Sequence, residues 1–534
     1  MGIYVNPGNA AFEMSRFSSI YVDKSMLITK LNAVYKTDRR FVCVSRPRRF
    51  GKSMAASMLC AYYSCGCNSA SLFSGLKAET DKSFQRHLNQ HCVIRLDMQQ
   101  FLESRHDLDT FIGKIESRVT SELKALFPDY TDAWPDIRLK ECLGQIFSQT
   151  KKGFVFIIDE WDCVFRVARQ RKDIQKDYLD FLRGLFKGQD YVELAYMTGI
   201  LPIKKYGEHS AINDFDEYSM ISPKNLDEYF GFTETEVQML CRKHGMDDSE
   251  MENWYNGYRP GTLSIYNPKS VSDALTWQEF QSYWTGTETY EALKTYIDMD
   301  FDGLREAVAM LLGGGCLKIS TRKFQNDMTT FKSKDDVLTL LVHLGYLTYD
   351  KKDSCVLIPN REISQEFLNA LDEPAWNGLT QALRCSGQLL QDTWELNEKA
   401  VADGISKIHS ETASLLKYNN ENSLTCTILM AYYSAKAYYL NPLLEFPSGK
   451  GFADVAYLPK KNIAKPALII ELKWDKPAKD AIRQIKEKQY ASWIENYTGD
   501  ILFIGISYDT KHKKHSCIIE THTKACGNDF SNTL

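Results

Sequence analysis

A short basic loop between two apolar segments constrains the fold of this chain more than any other feature. The loop, residues 46–53, reads Arg-Pro-Arg-Arg-Phe-Gly-Lys-Ser and follows the apolar run 41–45. This order predicts a buried strand, a tight loop and a helix. A phosphate site needs backbone N–H groups at a helix N-terminus, a lysine for the outer phosphates and a hydroxyl for Mg²⁺. Gly51, Lys52 and Ser53 supply all three.

The loop departs from the usual phosphate-binding pattern at one position. The pattern G-x-x-x-x-G-K-[ST] would place its first glycine where this chain has Arg46. Taken alone, the loop therefore fits two interpretations equally, a phosphate site or a basic turn capped by Ser53.

A second motif favours the phosphate site. Residues 154–160, Phe-Val-Phe-Ile-Ile-Asp-Glu, form an apolar run of buried-strand type that ends in two carboxylates. A nucleotide hydrolase needs one acid for the Mg²⁺ shell and a second acid to orient the attacking water. Asp159 fits the first role and Glu160 the second. Alone this run could be a buried strand with a solvated acidic end, but with the upstream loop it predicts ATP binding and, through Glu160, hydrolysis.

Apolar strands that alternate with amphipathic helices predict an α/β fold with a parallel sheet covered on both faces. The predicted strands are 20–25, 41–45, 91–97, 154–160 and 192–199, and the predicted helices are 26–35, 107–126, 136–150 and 176–186. Thr198 closes the last of these strands. Ligands of such sheets gather at the carboxyl ends of the strands, so we expect Thr198 beside the nucleotide.

Composition limits the classes of protein to consider. The 534 residues suggest two to four domains, and the net charge of −4 does not mark the whole chain as a nucleic-acid binder. The 14 cysteines are scattered, which is typical of reduced thiols in a cytosolic protein. No signal peptide opens the chain and no run reaches about 18 apolar residues, so we expect a cytoplasmic protein without a membrane span.

Four motifs together resemble one known family. They are Tyr-Val-Asp-Lys at 21–24, the loop at 46–53, Ile-Ile-Asp-Glu-Trp-Asp at 157–162 and Thr-Gly-Ile-Leu-Pro-Ile at 198–203. In combination they are similar to the bacterial AAA-ATPase-like family, in which such an ATPase is commonly fused to a PD-(D/E)XK nuclease-type domain. The resemblance implies that R-P-R-R-F-G-K-[ST] is the family's own form of the loop. The implied nucleotide-binding residues are Arg46, Pro47, Arg48, Arg49, Phe50, Gly51, Lys52, Ser53 and Thr198.

Residues 220–365 show mainly helical periodicity. A helix at 335–344 followed by a hairpin at 346–358 suggests a winged-helix module. Such a module could bind DNA or could serve as a lid that moves with the nucleotide state, and the sequence leaves both open. Arg259 could reach a nucleotide, but we expect it to stack on neighbouring tyrosine rings.

A second group of charged residues lies on two neighbouring strands near the C-terminus, at 449–457 and 467–473. Glu471 and Lys473 are two residues apart, so their side chains project from the same face. The strand pair could bring Asp454 beside them. Two carboxylates form a hard oxygen site for Mg²⁺, and a lysine can orient or deprotonate a water held there. This D-x(n)-E-x-K arrangement resembles the PD-(D/E)XK nucleases.

The nuclease resemblance implies further site residues. Glu421, before a predicted helix at 423–438, matches an additional acid, and Gln484 and Tyr490 match a motif on the following helix. A surface ion pair is the simpler interpretation of an E-x-K pattern, but Glu471 closes an apolar strand where an unpaired charge is costly. The basic residues that follow would neutralise phosphates or form a solvated helix face, and they are Lys476, Lys479, Arg483, Lys486 and Lys488.

The sequence thus predicts an α/β protein in three parts: a P-loop NTPase core with helices on both faces of a parallel sheet (1–220), a helical and winged-helix lid (221–370) and a PD-(D/E)XK-type α/β domain (371–534). We expect ATP and Mg²⁺ as cofactors and nucleic acid, DNA first, as the partner. A possible protein partner or self-association is left open. The alternative is a nucleotide-switched sensor or scaffold whose C-terminal domain binds nucleic acid or protein without cutting.

Overall fold

The chain divides into two compact units. The computed structural model describes residues 2–102, 104, 107–131, 137–203, 212–284, 289–298, 302–324, 331–371, 376–412, 421–448, 451–461, 463–488, 497 and 499–523. The first unit comprises residues 1–284 and 319–363, and the second comprises 285–318 and 364–534. The division into three domains stays a prediction.

The strands and helices are numbered in chain order. The strands are β1 (Phe41–Ser45), β2 (Cys92–Asp97), β3 (Phe154–Asp159), β4 (Val192–Gly199), β5 (Asp216–Tyr218), β6 (Phe232–Thr233), β7 (Ile265–Tyr266), β8 (Leu317–Lys318), β9 (Thr348–Asp350), β10 (Cys355–Leu357), β11 (Leu443–Ser448), β12 (Gly451–Tyr457), β13 (Ala467–Trp474), β14 (Ile501–Asp509) and β15 (Lys514–His522). The helices are α1 (Ala10–Arg16), α2 (Leu27–Asn32), α3 (Lys52–Tyr63), α4 (Ala70–Phe73), α5 (Phe84–His87), α6 (Phe111–Leu126), α7 (Pro128–Thr131), α8 (Leu139–Thr150), α9 (Cys163–Val167), α10 (Lys172–Phe186), α11 (Glu234–His244), α12 (Asp248–Tyr255), α13 (Pro268–Trp277), α14 (Thr289–Asp298), α15 (Leu304–Leu312), α16 (Lys334–Leu344), α17 (Arg361–Ala370), α18 (Asn377–Trp394), α19 (Glu398–Thr412), α20 (Glu421–Ala431) and α21 (Ala478–Glu487).

A five-stranded parallel sheet forms the centre of the first unit. Its order is β2-β3-β4-β1-β5, and every neighbouring pair is parallel. Strands β1, β3 and β4 are buried along their whole length, as expected for apolar runs covered on both faces. This confirms the predicted parallel α/β sheet. Its register aligns Asp97 with Asp159 and Ser45 with Gly199, so the carboxyl ends of four strands meet at one edge.

The predicted strand at 20–25 is wrong. This segment has no strand ladder, because its polar side chains make other contacts. Asp23 accepts hydrogen bonds from the backbone N–H of Ser25 at 2.9 Å and of Lys77 at 2.8 Å. Lys24 forms an ion pair with Glu236 at 2.7 Å. The segment is therefore held by its side chains and not by sheet pairing.

The hairpin predicted after residue 345 is present in the first unit. Helix α16 ends at Gly345, and β9 and β10 pair in antiparallel register. Arg259 does not fit its predicted role, since its guanidinium pairs with Asp350 at 2.6 Å instead of stacking on tyrosine rings. A winged-helix function for this segment stays a prediction.

A mixed five-stranded sheet forms the centre of the second unit. Its order is β11-β12-β13-β14-β15. Strands β13 and β14 are parallel and are joined through α21, while the other neighbours are antiparallel. Helices α18, α19 and α20 pack on one face and α21 packs on the other. The helix predicted at 423–438 is shorter than expected, because α20 ends at Ala431 and a 3₁₀ helix, Tyr433–Ala437, follows.

The described residues also bear on the expectations about membrane spans and cysteines. No helix in the described ranges has both the length and the apolar character of a membrane span. All cysteines in those ranges are free thiols.

Candidate nucleotide and metal sites

The phosphate loop places its glycine and lysine at the start of α3. Gly51 has a φ of +84°, a left-handed conformation that glycine adopts without steric cost, and it is the N-cap of α3. Lys52 is only 4% exposed, and its Nζ donates to the carbonyl oxygen of Pro47 at 2.9 Å. Burial lowers the pKa of the Lys52 amine, while nearby Glu160 and Asp159 act to raise it. The lysine thus lies within the loop, close to the acids at the end of β3.

Arg46 is directed into the protein interior. It is fully buried, and its guanidinium donates to the carbonyl oxygens of Ser45 at 2.9 Å, Tyr218 at 2.8 Å and Leu226 at 3.2 Å. It also lies 5.3 Å from the centre of the Phe230 ring. The residue that replaces the usual first glycine is therefore a structural link between the loop and the strand and turn that follow β4.

The rest of the loop also contacts other parts of the first unit. Its contacts are Pro47 with Gly345, Arg49 with the carbonyl oxygen of Tyr283, and Phe50 edge-on with Tyr258 at 5.0 Å between ring centres. Arg48 is partly exposed. These contacts hold the loop in place. The part of the loop that is suited to bind phosphate is therefore Gly51, Lys52 and Ser53.

Two acids lie beside Ser53 at the carboxyl edge of the sheet. Asp159, only 2% exposed, ends β3 close to Ser53, whose hydroxyl acts to lower the pKa of Asp159. Burial, together with the nearby carboxylates of Glu160 and Asp97, raises the pKa of Asp159 to about 6. Burial also raises the pKa of Asp97, the last residue of β2. Ser53 with Asp159 is a donor set that fits Mg²⁺.

Asp97 was missed as a site residue in the sequence. The signal was present, since Asp97 ends the predicted strand 91–97 as Asp159 ends the apolar part of 154–160. What the sequence lacked was the strand order, which puts β2 beside β3 and Asp97 level with Asp159.

Glu160 is engaged by an arginine. Its backbone is left-handed, with a φ of +52°, and its carboxylate forms an ion pair with Arg166. The Nε of Arg166 lies 3.4 Å from an oxygen of Asp162. Asp162 is fully buried and accepts hydrogen bonds from the backbone N–H groups of Ile200 at 3.2 Å and Leu201 at 3.0 Å. In this conformation Glu160 is paired, and the pair is connected to the segment after β4.

Neither Asp162 nor Arg166 was predicted as a site residue, although Asp162 lies in the Ile-Ile-Asp-Glu-Trp-Asp motif. Thr198, which was predicted, is fully buried near the end of β4. Its carbonyl oxygen accepts a hydrogen bond from the N–H of Trp161 at 3.1 Å. The structure therefore brings the loop, the β3 acids and the end of β4 to one edge of the sheet.

The C-terminal unit brings four predicted residues together. Asp454 on β12 follows the register that pairs Val455 with Ile470, which puts it next to Glu471 on β13. Lys473 Nζ lies 2.9 Å from Glu471 Oε1, and the amide nitrogen of Gln484 on α21 donates to the same oxygen. The four residues form one cluster, at which two strands and a helix meet.

The cluster has the electrostatics of a cation site. Glu471 is 1% exposed, and burial together with the nearby Asp454 carboxylate raises its pKa to about 7, against the lowering effect of Lys473. The Oε2 atom of Glu471 is buried and has no hydrogen-bond partner among the described residues. An oxygen so placed needs a partner, and a divalent cation between the two carboxylates fits this need. No cluster of three or more acidic, histidine or cysteine ligands occurs in the described ranges, so solvent or substrate oxygens would complete the shell.

Gly505 is a part of this site that the sequence did not reveal. It pairs with Glu471 on the neighbouring strand β14. A Cβ at this position would lie 2.7 Å from the carbonyl oxygen of Ala478, at the start of α21. The glycine therefore allows α21, with Gln484, to approach the sheet closely.

Other predicted residues of this unit fall into two groups. The backbone of Glu421 begins α20, while its side chain and the whole of Tyr490 lie outside the described residues.

Two of the predicted cations are neutralised on the surface: Arg483 by Asp480 at 2.8 Å and Glu487 at 3.8 Å, and Lys486 by Glu520 at 2.5 Å. For these two, the solvated helix face is the better interpretation.

Comparison with known proteins agrees with this division of sites. Residues 10–207 match the family model described as predicted AAA-ATPase, and residues 419–517 match that of the PD-(D/E)XK nuclease superfamily. A curated relative, the uncharacterized protein in the vnfD 5′ region of Azotobacter chroococcum mcd 1, is 29% identical over 279 residues. The match covers 51% of this chain and 51% of that protein, so the chain spans about half the length of its relative.

A solved structure is also similar, at a low level. It is the crystal structure of Cdc6p from Pyrobaculum aerophilum, with 9% identity and a TM-score of 0.25, covering 69% of this chain and 98% of that one. A score at this level does not establish a shared fold. The parallel sheet and the mixed sheet of this chain stand on its own strand pairing.

Proposed function

We propose that this chain hydrolyses ATP and cleaves nucleic acid, most readily DNA, with Mg²⁺. One segment of the chain matches predicted AAA-ATPases and another matches the PD-(D/E)XK nuclease superfamily. The observation that carries the proposal is the buried Glu471 carboxylate, held by Lys473 and Gln484 beside Asp454, with one oxygen unpartnered among the described residues. The three domains 1–220, 221–370 and 371–534 and a cytoplasmic location are part of the same proposal.

The first unit would act as the ATPase. The N–H groups at the start of α3 and the amine of Lys52 would bind the phosphates, and Ser53 with Asp159 would hold Mg²⁺. Glu160 would orient the attacking water once its carboxylate leaves Arg166. Thr198 would contact the nucleotide from the end of β4.

The second unit would act as the nuclease. Asp454 and Glu471 would hold Mg²⁺, which when bound polarises a phosphoryl oxygen and makes a bound water more acidic. Lys473 would orient that water, and Gln484 would fix the Glu471 carboxylate. Glu421 would add a further acid, as the family resemblance implies.

Changing Asp159, which ends β3, and Glu160, which follows it, is expected to separate binding from turnover. Glu160→Gln should bind ATP like the parent but lower the turnover number about 100-fold or more, because a residue that orients or deprotonates water acts in the chemical step. Asp159→Ala should weaken Mg²⁺-dependent binding, because a metal ligand acts in the ground state as well. Phosphate release and fluorescent-ATP titration measure the two effects.

The matched control is Glu13→Gln, which removes one charge from an exposed position on α1. It should change neither quantity. Unchanged turnover in Glu160→Gln would mean that the first unit is a binding switch and not a hydrolase.

A second candidate is a nucleotide-switched scaffold that binds nucleic acid or protein without cutting. The ion pair between Glu160 and Arg166 favours it, because a paired carboxylate is poorly placed to activate water. The deciding experiment incubates the purified protein with end-labelled single- and double-stranded DNA and RNA, with and without ATP and Mg²⁺. Cleavage products support the nuclease, and binding without products in every arm supports the scaffold.

A further inference from the structure

The turn between β14 and β15 is an ordered basic hairpin tip. Residues 510–514 read Thr-Lys-His-Lys-Lys. One oxygen of Asp509 accepts hydrogen bonds from the N–H groups of Lys511 at 2.9 Å and His512 at 3.1 Å, and its other oxygen lies 2.8 Å from His512 Nδ1. Lys513 has a left-handed backbone, with a φ of +52°. The turn is thus fixed by its own aspartate.

The hairpin tip is tied to the strand that carries Glu471 and Lys473. Asp475, two residues after Lys473, accepts hydrogen bonds from the N–H of Thr510 at 2.8 Å and from its hydroxyl at 2.8 and 2.9 Å. The N–H of Asp475 donates to the carbonyl oxygen of Tyr508 at 2.9 Å. Since Lys473 pairs with Ser507, Lys511, the first lysine of the tip, lies four residues or roughly 13 Å along the chain from the level of Lys473, at about 3.3 Å per residue.

The lysines of the hairpin tip are exposed to solvent, where a ligand could reach them. Its exposed lysines, which form no ion pair with any residue in the described ranges, are Lys511, Lys513 and Lys514. The two acids at the tip are partly or fully exposed and are engaged within it: Asp509 accepts from the N–H groups of the turn and pairs with His512, and Asp475 binds Thr510. Lys476 and Lys479, also exposed, follow β13 in the chain, with Lys479 in the first turn of α21. This contrasts with the later turns of α21, where Arg483 and Lys486 are neutralised.

We propose that the hairpin tip binds the phosphate backbone of the nucleic acid whose cleavage site lies at Glu471, and thereby holds that strand in place for cutting. This inference rests on the proposed nuclease function. The reach of the tip corresponds to about four phosphates on one strand, at about 3.4 Å of helix axis each. Lysine amines at such positions neutralise phosphates without reading sequence.

A DNA-binding assay under conditions that prevent cleavage tests the hairpin tip. A fluorescein-labelled DNA duplex of about 20 base pairs is titrated in EDTA by anisotropy, between about 50 and 200 mM salt. The triple variant Lys511→Ala/Lys513→Ala/Lys514→Ala is expected to bind on the order of 10-fold more weakly. Its slope of log affinity against log salt should fall by about 0.9 for each phosphate that the lysines neutralise in the parent. An RNA duplex of the same sequence forms the second arm and decides which nucleic acid is preferred.

Two matched variants isolate the effect. The triple replacement of the same lysines by arginine keeps the charge and should bind like the parent. Arg384→Ala/Lys399→Ala/Lys461→Ala removes three positive charges from exposed positions elsewhere in the second unit, so it controls for net charge. Thermal melts of all variants should coincide, because the substituted side chains are exposed.

The outcomes for the hairpin tip and for the nuclease can be told apart. A parent that binds DNA without ever cutting it, with the triple alanine variant weakened, supports the hairpin tip and removes only the cleavage proposal. Equal affinity and equal salt slope in parent and triple alanine variant overturn the hairpin tip, even if the parent cuts. A parent that binds neither duplex overturns it as well.

Discussion

Replacing Lys52 with alanine is expected to weaken ATP binding at least about 100-fold, which corresponds to the loss of two charge-assisted hydrogen bonds of about 1.5–3 kcal/mol each. The effect should be large because the other cations of the loop are differently placed. Arg46 is bound by three carbonyl oxygens in the interior, and Arg49 is bound by the carbonyl oxygen of Tyr283. The amine of Lys52 stays within the loop. Anisotropy of a fluorescent ATP measures the change.

The variant should remain folded. Burial lowers the pKa of the Lys52 amine, which means that the folded state does not favour a charge there, and Glu160 keeps its partner Arg166. A thermal melt checks this. Lys187→Ala, which removes the same charge from an exposed position after α10, is the matched control and should bind ATP like the parent. If Lys52→Ala bound ATP as tightly as the parent, the loop would not be the nucleotide site.

The elements of the first unit were predictable because their signals are local. Three apolar runs that end in polar residues gave β1, β3 and β4, and the strand ends gave the edge where the site lies. The contacts of Arg46 could not be predicted in the same way. They join residues 172 and 180 positions apart, and no local pattern carries that information. Because Arg46 is a basic residue in a phosphate loop, the sequence suggested that it contacts the nucleotide. In the structure its guanidinium instead binds carbonyl oxygens inside the protein.

At the C-terminal cluster, the positions of the side chains on the strands could be predicted, but the packing of the helix against the sheet could not. The period of two along a strand was enough to put Glu471 and Lys473 on one face, and an antiparallel strand pair was enough to bring Asp454 beside them. The role of Gly505 depends on how closely α21 packs, which only the assembled sheet reveals. Likewise, the ion pair of Arg166 with Glu160 depends on the left-handed backbone at Glu160, which no local pattern indicates.

Asp454→Ala and Lys473→Ala are each expected to lower Mg²⁺-dependent cleavage on the order of 10³-fold or more, because each removes part of one metal-and-water centre. ATP turnover should stay near that of the parent, since the residues proposed for ATP hydrolysis belong to the other compact unit. The two variants should differ in metal binding: Asp454→Ala loses a ligand, whereas Lys473→Ala keeps both carboxylates. The double variant should be little slower than either single one, because residues that act as a unit are not additive.

Folding is the factor that must be separated from chemistry at this site. Removing Lys473 leaves Glu471 buried beside Asp454 without its cation, at a cost of about 3–5 kcal/mol. Lys473→Gln and Asp454→Asn keep hydrogen-bonding groups in place, and the asparagine oxygen can still accept from the N–H of Leu472, as Asp454 does at 2.6 Å. Asp500→Ala, at an exposed position before β14, is the matched control and should cut like the parent. Conservative variants that melt like the parent and still cut at its full rate with Mg²⁺ would show that the chemistry does not depend on this cluster.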